Sequence, residues 1–107
     1  MTAPRLDALR AMVARSPGNA LARFGLANEL LKAGLWEEAA VELRAYLAAH
    51  DDEGNAYGRL AEACVALGRN DEAREALRQG IAAAQRFGHP GMAHDLAGRL
   101  EDLEDSA

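Results

Sequence analysis

Few side chains in this 107-residue chain could do bond-breaking chemistry, and they are poorly spaced for it. His89 and His94 straddle an expected helix start, with Asp95 beside the second, which is how a divalent-metal site could begin. Metal ligation needs three or four such groups to converge. No further ligand stands at metal spacing, because His50 lies in another loop. Cys64 falls on an apolar helical face, where a thiol behaves as a small hydrophobe and not as a nucleophile. There is no nucleophile–base pair and no glycine-rich phosphate loop. The residues therefore predict no metal, no cofactor and no catalysis. What remains is contact chemistry: Phe24 as an aromatic anchor, and Asn28 and Glu62 as groups that could hydrogen-bond a peptide backbone or a basic side chain.

Composition narrows the elements that can carry such residues. Half the residues are hydrophobic but only 5% are aromatic, so Ala and Leu must pack the core. That suits close-set helices and disfavours a β-sandwich, which draws on β-branched and aromatic residues. The length predicts one domain, residues 1–107. Twelve basic and 17 acidic residues give a net charge of −5, and the arginines are scattered among acids. A nucleic-acid binder would show a clustered basic face, so no nucleic acid is expected as a partner. No stretch approaches the roughly 18–20 apolar residues of a membrane span, so no membrane is expected either. Met1-Thr2-Ala3-Pro4-Arg5 lacks the basic-then-apolar layout of a secretory signal, and a single cysteine cannot form an internal disulfide. A cytoplasmic location is the expectation.

Helical periodicity runs along the whole chain. Pro4 can open a helix, and Leu6, Leu9, Met12 and Val13 share one face up to the break at Ser16-Pro17-Gly18-Asn19, where Asn19 can cap the next helix. Further helices are expected at about 20–33 (Leu26, Ala27, Leu30, Leu31), 36–49 (Ala39, Leu43, Tyr46, Leu47), 55–67, 70–87 and 92–104 (Met92, Leu96, Leu100, Leu103). Gly34 and Gly68 stand where left-handed C-cap residues are expected. The segment His50 to Asn55 reads as a polar connection ending in a cap, and Trp36 as an aromatic that packs the turn before it. Glu101, Asp102, Glu104 and Asp105 read as a solvated acidic end.

The chain also matches itself after a shift of 34 residues. Residues 20–53 laid on 54–87 give ten identities, among them Leu26/Leu60, Ala27/Ala61, Gly34/Gly68, Glu38/Glu72, Ala39/Ala73 and Leu43/Leu77. The period reaches back to Leu9 and Val13, and reaches forward with a two-residue slip, since Leu96-Ala97 echoes Leu60-Ala61 after 36 residues. A period of this size means stacked copies of one supersecondary unit. The expected fold is all-α: an antiparallel helix-pair superhelix (α-solenoid) of about six helices. A capping helix at 4–16 precedes repeat 1 (20–53) and repeat 2 (54–87), and a second capping half-repeat follows at 90–105.

These residues resemble the tetratricopeptide repeat family, specifically its small bacterial-type stand-alone members. The resemblance is carried by Leu26-Ala27, Gly34 and Glu38-Ala39, by Leu60-Ala61, Gly68 and Glu72-Ala73, and by Pro17 at the place of the terminal proline; Asp51 and Gln85 replace that proline in the full repeats. It implies that the first helix of each pair lines a concave groove. On that basis Leu21, Phe24, Asn28 and Leu31 line the groove from the first repeat. Asn55, Gly58, Glu62 and Val65 line it from the second, with Arg59 at the edge and His94 and Gly98 joining from the last helix. Phe24 lies beside Gly25, and the resemblance sets it opposite Gly58, where missing side chains leave room; the competing assignment packs it across the first helix as core. Three helices at about 9–10 Å spacing hold roughly six to eight residues of extended peptide. A family subtype grips a carboxylate terminus with Lys and Asn; Asn28 matches one such position and Arg59 could imitate another, but Phe24 replaces the required Lys, so that ligand is not expected. The expected function is a non-enzymatic adaptor that binds a short peptide segment of another protein. The alternative is a self-associating homodimeric scaffold, since short arrays leave apolar ends that a two-fold partner can cover.

Overall fold

A repeated turn device sets the helix ends. At Gly34 the backbone enters the left-handed region (φ +74°), the Gly34 N–H donates to the Leu31 carbonyl at 3.1 Å, and the Leu35 N–H reaches the Leu30 carbonyl at 2.9 Å. The same pair of bonds closes the helices before Gly68 (Val65 and Cys64 carbonyls) and Gly88 (Gln85 and Ala84 carbonyls). This arrangement uses carbonyls that a helix end leaves unpaired, and glycine enters it without a Cβ penalty. In the computed structural model, which describes residues 3–105, six α-helices result: α1 (Ala3–Arg15), α2 (Ala20–Lys32), α3 (Trp36–Ala49), α4 (Asn55–Ala66), α5 (Asn70–Arg86) and α6 (Pro90–Asp105). The described residues contain no strand, and the fold is all-α as expected.

One start differs in detail from the reading of the sequence. Asn55 does not cap α4; it is the first helical residue. The cap comes from Asp52, whose Oδ2 accepts from the N–H groups of Gly54 (2.8 Å), two residues on, and Ala56 (2.9 Å), four residues on, so that a carboxylate meets unpaired amides at the positive helix end. Helix α6 begins at Pro90. Proline fits a first-turn position, where no N–H is needed. Asn19 caps α2 as read, its Oδ1 accepting from Ala22 N–H at 3.1 Å. The Trp36 ring lies over the Gly34 turn, 4.0 Å from where a Cβ there would stand.

The helices form two compact units, α1–α3 up to His50 and α4–α6 from Asp51. In the first, Leu26, Leu30 and Leu43 are fully buried, and Ala27 and Ala39 are small where helices close on one another. Leu6 and Val13 are buried from α1, but Met12 is 40% exposed, so the apolar stripe of this helix is narrower than its periodicity implied. Arg10 makes a bidentate pair with Glu38 (2.7 and 2.8 Å), which ties α1 to α3. Arg23 with Glu42 (2.7 Å) ties α2 to α3. In the second unit, Leu60, Ala61, Cys64, Ala73, Leu77, Ala83 and Ala84 are buried, so Cys64 is a core residue. His89 bonds Glu53, and Arg86 pairs with Asp51 at 2.6 Å.

The two repeats fill the same positions in different ways. In α2 and α3, Phe24 packs on Tyr46 with ring centroids 5.1 Å apart, and Tyr46 stacks on His50 at 4.9 Å. Thirty-four residues on, those positions are Gly58, Gly80 and Ala84. A Cβ at Gly80 would fall 2.9 Å from Tyr57 Cβ and 3.0 Å from Leu96 Cδ1, and one at Gly58 would fall 2.9 Å from Arg99 Nη1. Where the first unit carries its own stacked rings, the second leaves a small-residue seat that α6 fills.

Candidate interaction site

The seat fixes the geometry of the candidate site. Leu96 is buried against Gly58 and Gly80, which holds α6 beside α4. One turn along, Arg99 crosses Gly58 and its Nη2 donates to the Gly58 carbonyl at 2.8 Å. A side chain at position 58 would block that crossing, so the gap at Gly58 serves α6. Residues of the seated helix and of α4 then bound two adjoining clefts. One, of about 270 Å³, is lined by Ala61, Glu62 and Val65 of α4, Leu77 of α5, and Arg99, Asp102 and Leu103 of α6. The other, of about 230 Å³, is lined by Gly54 and by Asn55, Gly58, Arg59 and Glu62 of α4, with Met92, Leu96 and Arg99 of α6. Glu62 and Arg99 border both.

Of the residues expected at a groove, the structure brings Asn55, Arg59, Glu62 and Val65 together on these clefts. Asn55 and Glu62 are exposed, Arg59 is half-buried, and Val65 is 44% exposed as an apolar wall. His94 is exposed on α6 but lines neither cleft. The α6 residues that do line them are Met92, Leu96, Arg99, Asp102 and Leu103; Met92, Leu96, Arg99 and Leu103 follow an i, i+4, i+7, i+11 pattern, with Asp102 beside Leu103. Arg99 was not read from the sequence as a site residue, and Asp102 was read only as part of a solvated acidic end. The available signal was a long cation inside an apolar stripe, together with a glycine inside α4.

In the first unit, Leu21 is 84% exposed, and Phe24 and Asn28 are half-buried. Leu31 is buried at 6% exposure. Among the described residues, no group of three or more His, Cys, Asp or Glu is placed to hold a metal ion. No helix there is long and apolar enough to cross a membrane.

Comparison with known proteins agrees with this architecture. The family model described as the tetratricopeptide repeat matches residues 6–58 and, overlapping them, 30–100. Among solved structures, the chain is similar to protein BPP2914 from Bordetella parapertussis, determined in solution: the two are 29% identical, with a TM-score of 0.79 over 94% of this chain and 88% of that one. No curated protein matches the chain significantly.

Proposed function

Because the chain belongs to the tetratricopeptide repeat family, we propose that it is a non-enzymatic interaction module that holds a short peptide segment of another protein, and that the α4–α6 clefts are where the segment lies. The observation that carries this reading is the pair of adjoining clefts with exposed Glu62 on their shared border and Val65 and Leu103 as apolar wall. A site of this kind combines apolar depth with a few placed polar groups. The bond from Arg99 to the Gly58 carbonyl fixes one side before any partner arrives, which lowers the ordering cost of binding. On α2, Leu21, Phe24 and Asn28 offer a second contact surface of the same general kind. The reading places the protein in the cytoplasm, where the buried thiol of Cys64 stays reduced.

Selection from a random peptide display library tests it. Peptides are expected to enrich on the wild-type protein and to be lost on Val65→Glu, a substitution at an exposed position whose fold is checked by circular dichroism. Equal enrichment on both proteins removes the clefts as the site. Leu21 and Val41, 84% and 56% exposed, are the side chains a homodimer would cover. Light scattering that shows a strict monomer at high micromolar concentration removes that second reading.

A further inference from the structure

We infer that the segment held by the α4–α6 clefts is basic, presenting an apolar side chain and, two residues along, a Lys or Arg. This rests on the proposed function. The larger cleft is walled by Ala61, Val65, Leu77 and Leu103 and takes an apolar group. Glu62, at the border with the second cleft, is exposed, and no hydrogen bond or ion pair ties it to another described residue. Of the cations nearby, Arg99 donates to the Gly58 carbonyl at 2.8 Å, and Arg59 is half-buried. In an extended chain, residues i and i+2 point the same way about 6.6–6.8 Å apart, so a basic group two positions from the apolar anchor faces the same cleft wall, of which Glu62 is part.

The surrounding charge points the same way. Helix α6 carries Asp95, Glu101, Asp102, Glu104 and Asp105 against Arg99 alone. Residues 51–107 hold twelve acidic and six basic side chains, whereas residues 1–50 hold five and six. The acidity is thus concentrated in the unit that bears the clefts. Such a field speeds the approach of a positive segment and opposes a negative one.

The test uses three capped synthetic peptides of equal length that share one Leu and differ at the flanking position: Lys/Arg, Gln or Glu. Fluorescence anisotropy on the full chain is expected to show the basic peptide binding at least about tenfold more tightly than the acidic one at low salt, with the ratio shrinking as salt rises. Glu62→Lys is expected to reverse that order, and Glu62→Gln to abolish it. Equal or tighter binding of the acidic or neutral peptide, an order unchanged in Glu62→Lys, or no binding of any of the three overturns the inference. So does a dimer that Glu62→Lys converts to monomer, since the occupant is then a second copy. Display-selected peptides that need Val65 but are not basic defeat this inference alone, and the module reading stands. Peptides indifferent to Val65→Glu defeat both.

Discussion

Arg10 and Glu38 join α1 to α3 by two parallel bonds between a guanidinium and a carboxylate. The hydrogen bonds from Arg10, and then its charge, hold the Glu38 carboxyl below its ordinary value of 4.5. The unfolded chain therefore takes up that proton at a higher pH than the folded one. The stabilisation is complete above about pH 4.5 and is lost as pH falls through the lower folded-state value. Both side chains are 37% exposed, so solvent screens the pair and the effect is small. Urea unfolding midpoints at pH 7 and pH 3 check it: Glu38→Gln is expected to lose less between the two than the wild type does. At this scale the sequence was partly legible. Asn19 and Cys64 could be placed from their flanking periodicity. The use of Asp52 as a cap and of Arg99 as a cleft residue could not, because each depends on which neighbour stands opposite.

The helices themselves were legible nearly to the residue, since glycines and prolines punctuate them and apolar spacing fills them. The seat for α6 was not, because a glycine inside a helix reads as a weakness until the residue that needs the space is known. Gly80 and Gly98 separate the two cases. Gly98 has nothing within 4 Å of an added Cβ, and Gly98→Ala is expected to stabilise by about 0.5–1 kcal/mol through helix propensity. Gly80→Ala gains the same propensity but drives a Cβ to 2.9 Å from Tyr57 Cβ and 3.0 Å from Leu96. Overpacking of that kind costs about 1–3 kcal/mol, so a net loss of roughly 1 kcal/mol is expected. Thermal unfolding of the two variants should move the melting temperature in opposite directions. At Gly34, whose φ is +74°, an alanine is expected to cost about 1–2 kcal/mol by forcing a Cβ into left-handed backbone.

For the molecule as a whole, the 34-residue period revealed the repeat architecture, and the chain divides into two units at 50/51. The period also concealed something. It equates Phe24 with Gly58 and Tyr46 with Gly80, yet Phe24 and Tyr46 pack on one another as tilted rings, whereas Gly58 and Gly80 receive a helix. Repeats that match in their small and leucine positions thus diverge where they meet their surroundings, and the proposed recognition clefts lie at that divergence. The most direct measurement of that claim is an amide chemical-shift titration of the isotope-labelled chain with a display-selected peptide. The account predicts perturbations concentrated at Asn55, Arg59, Glu62, Val65, Arg99 and Leu103, lost in Val65→Glu. Saturable binding that leaves those residues unmoved and shifts another surface would contradict it.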